Sequence, residues 1–515
     1  MALCFAFSAP SGFGADWYVA TNGLDTNPGT NSDSAFATIM RAQTAASPGD
    51  TVYLRGGTYY LDNSNLTATN NPWAIVNNIT KNGISYLAYP GELPVFDFSN
   101  VKPEVLASNR VTAFLVKANN CVFKGFDVVG VQVTIAGAHT QSECFRVAGG
   151  NNNRFEQLRM HDGMGNGWYL TDGASNLVLN CDAYNNRGLD SGSLGNTDGF
   201  GCHPSHTSGK GNIIYGCRAW FNSDDGYDCI NAFAPVIFDH CWAFYNGYFT
   251  NFTSSTGDGN GIKAGGYGAN GTNSPGKPLP VPLPRHVVQF CLTVRNRSSG
   301  FDANYHVGGQ DWFANTGYRN NVNYFMQECL TDNLTRVPGY NHLMKNNLGF
   351  RGNTEVSSLD TNLSDVSFNY FTLPVTVASN DFVTLDEGLL TAPRQPNGDL
   401  PYIDFARLTN TSDCIDAGTN EGFAFYGTAP DLGAFEFGPT DAPPLTVALS
   451  GTNLVFTASG WANRTNYLLA AADLALPSSQ WTRLATNQSD LSGNCAFTNA
   501  VRPDVPRQFY RLQLP

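Results

Sequence analysis

Four short apolar runs end on cysteine: N-L-V-L-N-C (176–181), N-I-I-Y-G-C (212–217), V-I-F-D-H-C (236–241) and V-V-Q-F-C (287–291). In each case an asparagine follows five places on, at Asn186, Asn222, Asn246 and Asn296. The interval between runs varies from 24 residues (Cys217 to Cys241) to 50 (Cys241 to Cys291). Fixed strands with loops free to grow fit a solenoid better than a propeller or a sandwich. A fifth coil is expected to end at Cys329, with its asparagine four places on at Asn333. Stacked coils would line the asparagines up as a ladder of side-chain amides at a corner, with Cys181, Cys217, Cys241 and Cys291 as an inward stack. Parallel side chains about 4.8 Å apart seldom have disulfide geometry, so these cysteines are expected to be buried thiols that pack as small apolar groups.

Length and composition agree with one elongated repeat domain. At 515 residues the chain exceeds a single compact core, only 14% of it is charged, and 53 glycines suit tight corners. The fold class expected is all-β, a solenoid of short strands over 16–438. A cap helix is expected near A-F-A-T-I-M-R-A-Q-T-A-A (35–46), between Ser34 and Pro48-Gly49, with Phe36, Ile39, Met40 and Ala46 on its apolar side and Gln43 interrupting it. S-D-C-I-D-A-G-T and A-P-D-L-G-A-F-E-F-G, within 410–438, resemble the closing segment of many β-helix proteins. A linker at 439–444 (P-T-D-A-P-P) then leads to a small β-sandwich over 445–515, whose segments L-T-V-A-L-S, N-L-V-F-T-A and Q-F-Y-R-L-Q-L alternate apolar and polar residues. Residues 1–15 look like the tail of a secretory signal without its positive start, which predicts export to the cell surface, periplasm or medium. Nothing else approaches a membrane span.

The chemistry concentrates between Thr197 and Gly266. With Gly199, Gly226, Gly261 and Gly300 set in one column, Asp198, Asp225, Asn260 and Ser299 stand before it, and Gly201, Asp228, Lys263 and Asp302 stand two places after. Upstream the column continues through Gly167, with Asn166 before and Tyr169 after. In stacked parallel strands these become straight rows on one outward face, which brings Asp198, Asp224, Asp225 and Asp228 together with Lys263 one coil on. Carboxylates so close repel unless a cation joins them, and an all-oxygen set favours a hard ion such as calcium. A solvated acidic turn is the plainer alternative, since Asp-Gly steps form turns. The spacing excludes an EF-hand, and zinc on Cys202, His203, His206 and Cys217 lacks a C-x-x-C partner.

The motifs T-D-G-F-G-C, N-S-D-D-G-Y-D-C and G-D-G-N-G-I-K-A-G-G resemble those of the family nine polysaccharide lyases. The pectate lyases of that family carry D-G-F-A-C, S-D-D-G-W-D and G-N-G-F-K-x-G-G in the same order. The resemblance implies Ca2+ held by Asp198, Asp224, Asp225 and Asp228, and Lys263 as catalytic base. It departs after D-G-F-x-C, where the family often has Lys and this chain has His203, Pro204, Ser205 and His206, so the neighbouring subsite and the substrate preference are open. The opening segment also resembles the N-terminal cap of right-handed parallel β-helix proteins, and these resemblances imply a right-handed parallel β-helix over 16–438.

Such a protein would remove the C5 proton of a galacturonate in pectin and leave a 4,5-unsaturated product, with no organic cofactor. The lysine must give up its proton first, which burial and a nearby cation favour and Asp228 and Asp302 oppose, so alkaline pH is expected to suit it. A net charge of −13 excludes nucleic acid as partner. An acidic polysaccharide remains compatible if calcium bridges the carboxylates of protein and substrate. Loops at 247–259 and 267–285 flank the lysine and should shape the cleft. Candidate sugar or carboxylate contacts are His203, Arg285, Asp302, Asn304, His306 and Arg319, with His286, Trp312 and Tyr318, although each taken singly suits ordinary packing as well. The chain is expected to act as a monomer. A pectin hydrolase using an aspartate pair would leave the Lys263 motif unexplained, and a carbohydrate-binding adhesin is the non-enzymatic alternative.

Overall fold

Alternating burial along short β-rich segments builds the solenoid: in Val236–Asp239, for example, Val236 and Phe238 point inward. The computed structural model describes residues 14–513 apart from 71, 107–109, 136–140, 189–193, 208–210, 270–275, 439–444, 460–462, 472–480 and 501–507. The proposed signal remnant (but for residues 14 and 15) and the linker therefore lie outside the described residues.

Three long sheets, parallel but for one end strand, run the length of the solenoid. The first starts with Asp16–Val19, which pairs with Thr51–Leu54, and ends at Asp365–Val366. The repeat thus extends beyond both limits that the cysteine runs suggest. Aromatic stacks thread the interior from coil to coil, such as Tyr86 on Phe123 (5.2 Å between ring centroids) and Phe123 on Phe155 (5.1 Å). The cap helix is Ile39–Ala45, capped by the Thr38 hydroxyl rather than by Ser34. Gln43 does not interrupt its packing. It is buried, donates to the Asn78 carbonyl and accepts the amides of Thr80 and Lys81, so it ties the cap to the first coils.

The five-residue interval between cysteine and asparagine now has a cause. From Val122–Lys124 to Leu343–Lys345 each first-sheet strand is followed by a left-handed residue, such as Asn180 (φ 54°), His240 (φ 52°) or Phe290 (φ 53°). A buried residue and a three-residue strand follow, then a second left-handed residue, such as Asn185, Tyr245 or Arg295 (φ 53°, 61° and 48°). Non-glycine residues hold this conformation because stacked neighbours impose it. Behind the second corner stands the predicted ladder. Asn186 donates to Asn222 (3.2 Å), Asn222 to Asn246 (3.1 Å), Asn246 to Asn296 (3.0 Å) and Asn296 to Asn320 (3.0 Å). The fifth rung is Asn320, not Asn333. Cys329 sits in an antiparallel pair, Glu328–Cys329 with Arg336–Val337, outside the three long sheets. The cysteine position continues as Asn315, Asn347 and Asn369. The thiols do more than fill space: Cys217 and Cys291 accept the amides of Cys181 and Cys241, the role that Asn315 plays for Cys291. All the described cysteines are buried and free.

Beyond the last coil an irregular strap covers the outer face of the second sheet, packing Phe382, Leu390, Phe405 and Leu408 against Trp220, Trp242, Phe244 and Tyr318. Arg218 and Arg394 both grip buried Asp182 (2.8 and 2.6 Å). The C-terminal unit has two three-stranded antiparallel sheets, Thr446–Ser450, Asn453–Ser459 and Asn494–Ala500, and Thr465–Ala471, Thr482–Gln488 and Phe509–Gln513. Phe456, Leu468, Cys495 and Phe497 fill the space between them.

Candidate active site

The third sheet carries the glycine column. Its strands Asn166–Asp172, Phe200–Cys202, Tyr227–Asp228, Ile262–Lys263 and Ser299–Asp302 pair in parallel, with Tyr169, Gly201, Asp228, Lys263 and Asp302 in one register. Glycine is required because these strands press on the asparagine ladder. A Cβ at Gly226 would lie 2.8 Å from Asn246 Nδ2, and one at Gly261 would lie 2.8 Å from Asn296 Nδ2.

Immediately before the glycines runs a second ladder. The Asn166 carboxamide accepts the Asp198 amide (2.7 Å), Asp198 Oδ1 that of Asp225 (3.1 Å), Asp225 Oδ1 that of Asn260 (2.7 Å), and Asn260 that of Ser299 (3.0 Å). Each aspartate here spends one oxygen on the backbone and keeps the other. Asp225 Oδ2 is buried without a hydrogen bond and lies 3.1 Å from Lys263 Nζ, which is also 3.4 Å from Asp228 and 3.2 Å from Asp258. Asp224 accepts the Asp258 amide at 2.5 Å.

Burial pushes the carboxyls of Asp198 and Asp225 well above the usual range and that of Asp224 up to about 7, with neighbouring carboxylates adding to each shift. Burial works against the Lys263 ammonium too, but Asp225, Asp228, Asp224 and Asp258 outweigh it and raise its pKa well above that of an ordinary lysine. The expected lowering by burial is therefore reversed in this arrangement. One ammonium cannot balance so many buried carboxylates, so the cluster must take up protons or a cation. A hard ion fits. Oxygens of Asp198, Asp225 and Asp228 lie within 4.8 Å of one another, as do those of Asp224, Asp225 and Asp258, and Asp225 Oδ2 has no hydrogen bond.

Asp258 escaped the sequence reading because it lies on the loop before the lysine strand, outside the aligned columns. Its only signal was an acidic residue between two glycines in G-D-G-N-G. Asp302 shares the lysine's register, but Asp225, Asp228 and Asp258 are the carboxylates within ion-pair reach of Lys263. Burial raises the Asp302 carboxyl to about 6, and it accepts the Asn304 amide.

The His203 ring leans on Tyr169 (4.8 Å) over Gly201, where a Cβ would lie 2.6 Å from the tyrosine ring, and its Nδ1 faces the Ile230 carbonyl at 2.6 Å. Other candidates serve the scaffold. Arg285 pairs with Asp311 (2.6 Å) and donates to the Asn341 carbonyl at the first sheet. Asn304 donates to the Gly265 carbonyl, and fully buried His306 takes the Gly266 amide. Arg319 is the left-handed corner residue (φ 55°) after the second-sheet strand Thr316–Tyr318 and holds Glu387 of the strap (2.6 Å). His286 accepts the Val236 amide at a corner, Trp312 is core, and Tyr318 packs on Phe405. Sequence proximity to the lysine strand misled here, because one coil visits three differently facing sheets.

A family profile described as "Pel9A-like, right handed beta helix region" matches residues 17–347. The chain belongs to this family. Curated relatives include "Pectate lyase L" of Dickeya chrysanthemi, 34% identical over 82% of this chain and 90% of the relative, and "Pectate lyase L" of Paenibacillus polymyxa (strain SC2), 30% identical over 79% and 84%. Among solved structures, one titled "Rhamnogalacturonan lyase" is 43% identical with a TM-score of 0.73, covering 77% of this chain and 97% of its own. Another, "Crystal structure of pectate lyase Pel9A", is 29% identical with a TM-score of 0.65, covering 82% and 96%. Like these members of the family, the protein is a polysaccharide lyase. Among the described residues no helix is long and apolar enough to cross a membrane.

Proposed function

We propose that the protein cleaves galacturonate-containing pectin, either polygalacturonate or the rhamnogalacturonan backbone, by calcium-dependent β-elimination outside the cell. The observation that carries this reading is Lys263 Nζ standing 3.1–3.4 Å from Asp225, Asp258 and Asp228 on an outward-facing register row. Asp198, Asp224, Asp225 and Asp228 are the residues to hold the ion. What calcium supplies when bound is neutralisation of the substrate carboxylate, which acidifies the adjacent C5 proton and stabilises the charge that develops. Lys263, once deprotonated, takes that proton at Nζ. The pair Oδ1 bonds to backbone amides fix Asp198 and Asp225 in place, so their free oxygens need little reorganisation. Asp302 and His203, next along the same face, are proposed to contact the sugar.

Absorbance of the conjugated uronate double bond, followed on both polymers with calcium and then with chelator, tests the reading. A calcium-dependent rise is expected and would name the substrate. New reducing ends without absorbance would instead mean hydrolysis, and polymer binding without either would mean a binding protein.

A further inference from the structure

Followed away from Lys263, the register runs through Asp228, Gly201 and Tyr169 to Arg146 on strand Glu143–Ala148. Arg146 thus stands four strands from the lysine, about 19 Å along the axis at about 4.8 Å per strand. Its strand neighbours Phe145 and Val147 are fully buried, so Arg146 faces the same side as the lysine.

The side chain is held on three sides. Nη1 lies 2.5 Å from Glu143, a fully buried carboxylate whose other oxygen takes the Thr112 hydroxyl (2.9 Å). The Trp73 and Tyr169 rings flank the guanidinium, with centroids 5.5 and 5.6 Å from its carbon. Nε and Nη2 donate to no protein atom among the described residues. Neutralising Glu143 needs one nitrogen; a planar fork flanked by two aromatic rings, with its other nitrogens unbonded to the described residues, is more than that task requires. A second guanidinium, that of Arg110, lies over the same tryptophan (5.3 Å).

We propose that Arg146, between Tyr169 and Trp73, is a distal subsite that grips a uronate carboxylate of the bound polymer, with the aromatic rings covering the sugar faces. The proposal rests on the pectin reading above. The Nε–Nη2 edge of the guanidinium matches a carboxylate by two parallel hydrogen bonds, and only a chain long enough to reach it from Lys263 gains from it.

The test is kcat/KM on galacturonate and rhamnogalacturonate oligomers of increasing length. It is paired with calorimetric binding of polygalacturonate to proteins that carry Lys263→Ala, with and without Arg146→Ala. Arg146→Ala should lower kcat/KM on long substrates about tenfold or more through KM and leave the shortest cleaved oligomer unchanged. Arg146→Lys should lie between. Because Arg146→Ala strands a buried carboxylate, the double variant Glu143→Gln/Arg146→Ala is measured alongside and should show the same length-dependent loss with a wild-type melting temperature. An equal loss at every length, or none on the polymer, overturns the subsite. If the wild type produces no unsaturated product, the elimination reading falls by itself; polygalacturonate binding weakened by Arg146→Ala still supports the subsite, and binding that is unchanged overturns it.

Discussion

Two ladders run side by side down this solenoid, one glycine apart. In the first, Asn222, Asn246 and Asn296 satisfy one another and the backbone with both halves of each carboxamide. In the second, Asp198 and Asp225 use one oxygen in the same manner, and the other oxygen of Asp225, buried without a hydrogen bond, faces Lys263 at 3.1 Å. Replacing an NH2 group by a second oxygen turns a stabilising stack into a reactive one. The scaffold that enforces amide stacking also holds like charges together against their repulsion.

Removing the base should have the largest effect. Lys263→Ala should lower kcat by about 10²- to 10⁴-fold with unchanged far-ultraviolet circular dichroism, and a rate near wild type would reject it as base. Asp225→Asn makes the acid row more like its neighbour. It should abolish calorimetric calcium binding and most activity while holding or raising the melting temperature in chelator; destabilisation would show that the two ladders are not equivalent. Asn246→Ala breaks the other side: it orphans the Ala219 carbonyl and the Asn222 amide and should cost about 2–4 kcal/mol by urea denaturation, with calcium affinity falling only as Gly226 loses its support.

A smaller effect comes from pH. The Asp224 carboxyl titrates near 7 in the folded protein, far above its unfolded value, so the native state keeps a proton that the unfolded chain has released. That contribution is complete below about pH 4 and is lost as pH rises through about 7. In chelator the melting temperature should therefore fall between about pH 4 and pH 8, and Asp224→Asn should flatten the slope. Calcium affinity should rise over the same range, because ion and proton compete for the same oxygens. The smallest effect is expected for Asp258→Asn, a side chain 67% exposed, which should change activity within about threefold because solvent screens its pairing with Lys263.

The solenoid, the amide ladder and the row containing Asp228, Lys263 and Asp302 were legible in the chain because each depends on a residue type recurring at a fixed offset. Asn320 replaced Asn333 as the fifth rung because Asn315 stands where the earlier coils have cysteine, so a search keyed on the thiol slipped to Cys329. Arg285, Asn304, His306 and Arg319 were grouped with the lysine by nearness in sequence, yet they occupy corners or other sheets.

By itself the sequence determined the periodic part of this protein: parallel coils, a glycine column and acidic residues beside a lysine. Stacking identical backbone geometry every few ångströms converts repetition along the chain directly into rows in space. Only the tertiary structure decided which carboxylates reach the lysine, that Asp258 joins them from a loop, that the lysine's pKa is driven up rather than down, and that Arg146 shares its face. Those outcomes depend on burial and on distances of a few ångströms between side chains far apart in sequence, and no local pattern encodes them.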